Sequence, residues 1–480
     1  MTATSAAGAA RDRLDPHLLR MGIVLIAAPI LATIDATAVG IAADAMAAHF
    51  RTSLTDVQWV AAGYLLAIAV VMPLSGWLSR RFGAKRTWMA AVAVFTAGSA
   101  LCGLAWSLPA LIAFRLVQAV GGGLMNPVGQ TILAQAAGPS RIGRAMSVLT
   151  IPVMFAPVLG PIVGGLVVQQ LDWRWIFYLN LPVCLLVLPV AARVLARDED
   201  EDEDEDGDGA GGAPRLDLLG LALLSPGLAA VVYGLTMAGG REGAWTPAVL
   251  VGAGLALVAG YLVHALRTRR QPLIDVRLFA KGGFTAACVA LFLLGASLYS
   301  SMILLPLFFQ HDRHADTLST GLLLTPQALG AAVGSFAAGR LADRHGPRAV
   351  VTGGLVLSLA GLLAFTQAPA RPDTWLLTLC LVLYGLGIGG VSAPTMAAAY
   401  ASVDRQQTPG AAGALNVVNR LGGSLGTAIL TTVLDSGLRQ GDGPAHAYGT
   451  AFWWAFGLCL VTLVPVAFFR SARRDGRPGG

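Results

Sequence analysis

Two residues of opposite charge lie within long apolar stretches of this sequence. Asp35 interrupts the first such stretch, and Arg115 lies in a later one, three residues before Gln118. A charge inside an apolar span is unfavourable, by roughly 2.5–3.5 kcal/mol on insertion scales, and normally faces a water-filled cavity or a counter-charge. Burial and a nearby cation act in opposite directions on a carboxyl group, so Asp35 is suited to take up and release a proton. We interpret Asp35 as a proton carrier tuned by Arg115, with a buried structural Asp and a hydrogen-bonding structural Arg as the alternatives.

The elements that position these residues are predicted to be membrane-spanning helices. Of the 480 residues, 55% are hydrophobic and only 12% are charged, and the mean hydropathy is +0.66, which argues against a cytosolic enzyme or a nucleic-acid binder. A span needs roughly 20 apolar residues. No removable signal peptide is expected in residues 1–20, which have no short apolar core followed by a cleavage site. The predicted spans, fourteen in all, are 21–43, 57–78, 87–106, 109–137, 145–170, 175–196, 217–238, 246–266, 283–309, 318–341, 349–368, 374–399, 411–433 and 450–470.

Basic residues are distributed unequally between the two sides of these spans. If the N-terminus is cytoplasmic, 25 of the 33 Lys and Arg residues fall on the inner side and six on the outer side. Because cytoplasmic loops carry an excess of Lys and Arg, both termini are predicted to be cytoplasmic. The unbroken acidic run 198–206 follows the sixth span and reads as a solvated linker, with a partner-binding tail as the alternative.

The loop after the second span is repeated after the tenth. Gly76, Arg81 and Gly83 recur as Gly339, Arg344 and Gly346, each 263 residues later. Both copies face the same side of the membrane, so the chain is predicted to contain two parallel six-helix halves, with the seventh and eighth spans inserted between them.

This repeated loop resembles the signature Gly-x-Leu-x-Asp-Arg-x-Gly-x-Arg of the major facilitator superfamily. The second copy carries Asp343 and Arg344, whereas the first has Arg80 where the family has Asp. The resemblance implies a gate at the cytoplasmic face, with simple positive-inside anchoring as the alternative. The predicted gate residues are Gly76, Arg81, Gly83, Gly339, Asp343, Arg344 and Gly346.

Two further motifs point to proton-coupled export. The fourth span is similar to the family motif Arg-x-x-Gln-Gly-x-Gly, although Ala119 replaces its first Gly. The fifth span resembles the Gly-Pro-x-x-Gly-Gly motif of exporters that exchange substrate for protons, with generic close packing of small residues as the alternative. The residues of this antiporter helix are Pro157, Gly160, Pro161, Gly164 and Gly165.

Other segments are similar to the fourteen-span drug:proton antiporters of the EmrB/QacA type. They include 172–182 at the outer end of the sixth span and 416–426 in the thirteenth. The resemblance implies an all-α major facilitator fold of two six-helix bundles plus two inserted helices. The predicted substrate cavity contains Gln118, Asn126, Asn416, Asn419 and Arg420. The predicted organisation is a cytoplasmic tail 1–20, a bundle 21–197, an acidic and Gly-rich linker 198–214, an inserted pair with a basic loop 215–270, a bundle 271–470 and a cytoplasmic tail 471–480.

The sequence therefore predicts a monomeric plasma-membrane antiporter that exports small lipophilic molecules, driven by inward proton flow. It lacks a Walker-type nucleotide loop and any Cys/His pattern for a metal, so no nucleotide, nucleic acid, metal or other cofactor is expected. An uptake permease or uniporter of the same fold and a membrane sensor without flux are the alternatives. A membrane enzyme is the least favoured, because no catalytic constellation occurs within the spans.

Overall fold

The computed structural model describes eight ranges of the chain, in which every regular element is a helix. The predicted acidic linker 198–214 and tail 471–480 lie outside them, as do the first fifteen residues. The described ranges are 16–138, 142–195, 216–238, 245–268, 272–315, 317–370, 372–440 and 443–469.

The N-terminal half contains helices α1 to α9. A short helix, α2, follows the first span at a place where the sequence predicted only a loop. Pro73 has no N–H to donate, and at this point a 3-10 turn over Met72–Leu74 separates α3 from α4. The bounds are α1 Pro16–Ile41, α2 Ala43–Phe50, α3 Leu54–Val71, α4 Ser75–Phe82, α5 Ala84–Gly103, α6 Leu108–Ala137, α7 Ile142–Gln170, α8 Trp175–Tyr178 and α9 Asn180–Val194.

An inserted helix pair and the C-terminal half follow. The inserted pair is α10 Leu218–Ala238 and α11 Trp245–Arg267. A π-helical segment over Phe308–Asp312 extends α12 beyond Pro306. The helices of the C-terminal half are α12 Gly282–Leu307, α13 Thr317–His345, α14 Pro347–Thr366, α15 Thr374–Tyr400, α16 Thr408–Arg439, α17 Pro444–Val461 and α18 Leu463–Val466.

Each half packs mainly within itself. In the N-terminal half α1 packs on α7 and α5 packs on α6, while in the C-terminal half α15 packs on α13 and α14, and α12 packs on α16. Helix α10 packs on α11 and also contacts α3 of one half and α16 of the other. The hydroxyl of Ser225 in α10 donates to the carbonyl of Val70, 2.6 Å away, close to the break at Pro73. The inserted pair is therefore tied to both halves.

The repeated loops lie at one end of the bundle, which we call the signature-loop end. Gly83 and Gly346 have φ angles of 82° and 80°, in the region that favours glycine, and each immediately precedes a new helix. The first glycine of each repeat lies against the opposite half. A methyl group on Gly76 would lie 3.0 Å from the Cα of Gly410, and one on Gly339 would lie 3.1 Å from the Cα of Arg144. These glycines allow the two halves to approach closely here.

Twelve helical segments in the described residues are long and apolar enough to cross a membrane. Twelve of the fourteen predicted spans are therefore supported. The two predicted spans that are not among these twelve correspond to α5 and α7. Lys85 and Arg86 stand at the start of α5 and shorten its apolar stretch. Side chains 150–158 in α7 lie outside the described part of the chain.

Candidate functional site

Asp35 and Arg115 form a buried ion pair between α1 and α6. The Nη1 atom of Arg115 donates to Oδ2 of Asp35, and each residue is only 1% exposed. Asp35 lies about 9 Å along the helix axis from the end of α1, at the rise of ~1.5 Å per residue. The pair is therefore displaced from the middle of the span toward the end of the bundle opposite the signature loops.

Neutral side chains complete the hydrogen bonds around this pair. The amide of Asn180, at the start of α9, donates to Oδ1 of Asp35 at 3.1 Å and to Oγ of Ser99 at 3.0 Å. Arg115 Nη1 also donates to Oε1 of Gln118 at 2.6 Å, and Gln118 Nε2 donates to Ser99 at 2.6 Å. Both carboxylate oxygens are thus occupied. We call the five residues Asp35, Ser99, Arg115, Gln118 and Asn180 the charge cluster.

Two aromatic rings cover the guanidinium group of Arg115. Its Cζ atom lies 4.1 Å from the centre of the Tyr64 ring and 5.4 Å from that of Phe177. The Nε atom donates to the carbonyl of Val60 at 3.4 Å, whereas Nη2 and the hydroxyl of Tyr64 have no hydrogen-bond partner among the described residues. Aromatic faces stabilise a desolvated cation. Because every residue of the charge cluster is buried, the cluster is sealed from water in this conformation.

The glycines of the antiporter motif lie directly beside Asp35. A methyl group on Gly160 would collide with the hydroxyl of Thr37, and one on Gly164 would lie 3.0 Å from the Cα of Ala38. Gly165 faces open space, with no atom of the described residues within 4 Å of such a methyl group. The side chains of Pro157 and Pro161 are outside the described set. The stripe of small residues on α7 therefore sets how closely it packs on the part of α1 that carries Asp35.

A second polar group joins the two halves. The amide of Asn416 in α16 donates to Oε1 of Gln130 at 2.7 Å, and the amide of Asn126 in α6 donates to Oδ1 of Asn416 at 3.2 Å. Gln130 Nε2 donates to Asn126 at 3.5 Å, and the hydroxyl of Tyr400 donates to Gln130 Oε1 at 3.4 Å. We call these four residues the amide bridge.

The residues predicted to line the substrate cavity thus occupy three places. Gln118 is completely buried and belongs to the charge cluster, because its side chain is held by Arg115 and Ser99. Asn126 and Asn416 belong to the amide bridge. Asn419 donates to the carbonyl of Leu291 at 3.0 Å, within the C-terminal half. Half-buried Arg420 lies 5.9 Å from the ring of Tyr299.

The charged residues of the signature loops differ in how far they are exposed and in whether they contact the opposite half. Arg81 and Arg344 are exposed, and the side chain of Asp343 lies outside the described set. Arg80, which replaces the family's Asp, is half-buried, and its Nη1 atom would lie 3.4 Å from a methyl group on Gly410. The structure therefore places Arg80, rather than Arg81, against the opposite half.

The sequence profile described as Major Facilitator Superfamily matches residues 25–284 and 287–480, almost the whole chain. The chain belongs to this superfamily. The family predicted from the signature loops is therefore confirmed. Major facilitator proteins are transporters, so the prediction that the chain is not an enzyme is also confirmed.

Several major facilitator proteins are similar to this chain over most of its length. The "Multidrug resistance protein B homolog" of Mycobacterium tuberculosis (strain ATCC 25618 / H37Rv) is 35% identical, over 97% of this chain and 92% of its own length. The "Tetracenomycin C resistance and export protein" of Streptomyces glaucescens is 30% identical, over 92% of this chain and 79% of its own. The chain is therefore a major facilitator transporter related to drug and antibiotic efflux proteins.

The fold agrees with solved major facilitator structures. The human organic anion transporter MFSD10 (TETRAN) superposes with a TM-score of 0.64, covering 94% of this chain and all of that chain. The two sequences are only 18% identical, so this likeness concerns the fold alone.

Four residues of the two polar groups were not singled out as site residues from the sequence. Asn180 lies within the segment 172–182, which contributed only to the family resemblance. Ser99, Gln130 and Tyr400 are uncharged residues in apolar helices, and nothing in their spacing marks them. The position of Asn180, two residues after the aromatic-rich segment 173–178, was the one available signal.

Proposed function

We propose that this transporter is a proton-coupled antiporter that exports small lipophilic molecules across the plasma membrane by alternating access. The buried Asp35–Arg115 ion pair carries this proposal, because it places one titratable acid and its counter-charge inside the membrane region of an efflux-type transporter. The similarity to multidrug resistance and antibiotic export proteins supports export over uptake.

Binding and release of a proton at Asp35 would make and break the ion pair in the charge cluster. As long as Arg115 and Asn180 hold the carboxylate, both of its oxygens are occupied and the charges are balanced. Protonation of Asp35 removes its charge, releases Arg115 and lets α1 shift against α7. Each proton that enters through 100 mV supplies about 2.3 kcal/mol, so one or two protons sustain a useful substrate gradient.

The contacts between the halves support an assignment of the conformation. Gly76, Gly339 and the amide bridge join the halves at or toward the signature-loop end. The excess of basic residues favours placing this end in the cytoplasm. In our proposal the conformation is therefore closed to the cytoplasm, and the signature loops with Asp343 and Arg344 form the gate that opens for substrate.

We further propose that α5 and α7 also cross the membrane, which gives fourteen spans with both termini in the cytoplasm. Single cysteines introduced at Trp106 and Leu171, both highly exposed, test this topology in a chain whose five buried native cysteines have been replaced. Both should react with a membrane-impermeant maleimide in intact cells, whereas a cysteine at Gly207 should react only after permeabilisation. If α5 did not cross, Trp106 would be protected in intact cells.

Export itself is tested in a bacterial strain that lacks its own multidrug exporters. Expression of the chain should lower the accumulation of neutral, zwitterionic or singly charged lipophilic antibiotics, and a protonophore should restore it. Divalent cations should be poor substrates, because the charge cluster offers a single carboxylate that Arg115 already holds. Accumulation unaffected by both expression and protonophore would reject proton-driven export.

A further inference from the structure

The amide bridge spans the boundary between the two halves and contains no charged residue. Asn126 and Gln130 lie one turn apart on α6, while Tyr400 ends α15 and Asn416 lies near the start of α16. Gln130 and Tyr400 are 7% and 5% exposed, and the two asparagines are half-buried. Four uncharged polar side chains thus meet at a contact that alternating access has to break.

The position of the bridge separates it from the charge cluster. Arg115 and Asn126 lie on the same helix, about 16 Å apart along its axis at ~1.5 Å per residue. Helix α6 ends at Ala137 near the signature-loop end, so Asn126 and Gln130 lie on that side of Arg115. A substrate that enters from the signature-loop end therefore meets the bridge before it reaches the charge cluster.

When the signature-loop end opens, the residues of the amide bridge lose hydrogen-bond partners. The bonds between Asn416 and Gln130 and between Asn126 and Asn416 cross from one half to the other, so both are lost when the halves separate. An unsatisfied amide in an apolar environment is unfavourable, whereas an amide that finds a ligand group recovers its bond. A ligand that replaces these bonds stabilises the open conformation relative to the closed one.

We propose that the amide bridge is the recognition site for uncharged hydrogen-bonding groups of the substrate, namely carbonyl, amide and hydroxyl groups. This inference rests on the proposed export function and narrows its substrate class. Each amide offers both a donor and an acceptor, so it matches ketone oxygens and phenolic hydroxyls equally well. A permanent cation without such groups gains nothing here, because the bridge contains no carboxylate. Gln130 and Tyr400 thereby become specificity-determining residues beside Asn126 and Asn416.

A purely structural role for the bridge makes a different prediction. If the four residues only latch the halves together, replacing one of them changes the conformational equilibrium and alters transport of every substrate by the same factor. If they bind substrate, the change depends on whether the substrate carries hydrogen-bonding groups. A pair of probes that differ in this property separates the two roles.

The test uses Asn416→Leu and Tyr400→Phe in the full chain, with Thr431→Val as the matched control. Among the described residues, the Thr431 hydroxyl bonds only to carbonyls of its own helix, at 2.8 and 3.2 Å. The two probes are dihydroxyanthraquinone, which carries carbonyl and hydroxyl groups, and tetraphenylphosphonium, which carries neither. Initial efflux rates give KM and kcat, and equilibrium dialysis with purified protein gives the Kd of each probe without a proton gradient.

We expect Asn416→Leu to raise the KM and Kd for dihydroxyanthraquinone about tenfold, the change that corresponds to loss of roughly one good hydrogen bond. Tyr400→Phe should raise them by a smaller factor, and Thr431→Val should leave both constants unchanged. For tetraphenylphosphonium any change reports only the loss of the bonds between the halves, so it should be much smaller than the change for dihydroxyanthraquinone. Equal changes for both probes, or no change for either, would overturn the recognition role.

The binding measurement keeps this inference distinct from the export function. Binding of dihydroxyanthraquinone that is selectively weakened in Asn416→Leu, together with absent efflux in the unmodified chain, would uphold the recognition site and reject proton-driven export. Efflux that persists while the bridge variants fail to discriminate between the probes would uphold export and reject the site.

Discussion

Asp35→Asn is expected to abolish uphill, proton-driven efflux while leaving some substrate binding or downhill exchange. The amide retains most of the shape of the carboxylate but cannot take up and release a proton, so the cycle of charge at the ion pair stops. Efflux against a concentration gradient, measured at matched expression, should fall to the level of cells without the transporter. Asp44→Asn is the control, because Asp44 is an exposed acid on α2, outside the charge cluster.

This substitution also leaves Arg115 buried without its counter-charge. Removing one partner of a buried pair destabilises a protein by roughly 3–5 kcal/mol, so loss of efflux could reflect poor folding. The double variant Asp35→Asn with Arg115→Gln removes both charges and should recover expression and thermal stability but not uphill efflux. Full proton-driven transport by either variant would show that Asp35 does not carry the proton.

Gly160→Leu is expected to give a folded transporter that has lost tight coupling. Its side chain must displace the hydroxyl of Thr37, which pushes α1, and with it Asp35, away from α7. Overpacking of this kind costs about 1–3 kcal/mol, which a helix bundle of this size tolerates. Drug efflux should be lost or sharply reduced, and proton leakage measured with a pH-sensitive dye should rise. Gly164→Leu should behave similarly, because it meets the backbone of Ala38.

The control for this prediction is Gly457→Leu in α17, where a methyl group would meet no atom of the described residues within 4 Å. It adds the same bulk to a transmembrane helix without touching α1, so coupled efflux should be retained. Normal coupling in both Gly160→Leu and Gly164→Leu would show that the small-residue stripe serves only general packing.

Much of the architecture could be predicted because membrane helices have simple length and hydropathy requirements. The predicted span 109–137 matches α6 almost to the residue, and 374–399 matches α15. The break at Met72–Leu74 and the π-helical segment at Phe308–Asp312 were not predicted. The first lies inside the predicted span 57–78, where hydropathy does not mark it, and the second crosses the end of the predicted span 283–309.

The charge cluster could be predicted only in part. Asp35 and Arg115 were recognisable because each is a charge in an apolar stretch and each needs a partner. Gln118 lies one turn from Arg115 and on the same face, as the spacing predicts, and its side chain is buried among helices. Ser99 of the charge cluster was not recognisable, and neither were Gln130 and Tyr400 of the amide bridge, because a neutral polar residue in an apolar helix satisfies its hydrogen bonds in many ways. Their partners are remote in sequence, as with Gln130 and Asn416.

The central claim is that substrate export is exchanged for protons at Asp35, and flux through the purified protein in liposomes tests it most directly. The liposomes enclose a pH-sensitive dye and contain either the unmodified chain or Asp35→Asn at equal density. Adding a neutral lipophilic substrate to one side should drive proton movement in the opposite direction, and an imposed pH gradient should accumulate substrate. We predict both fluxes for the unmodified chain and neither for Asp35→Asn. Equal proton movement with the two proteins, or substrate movement without proton movement in the unmodified chain, would contradict the account.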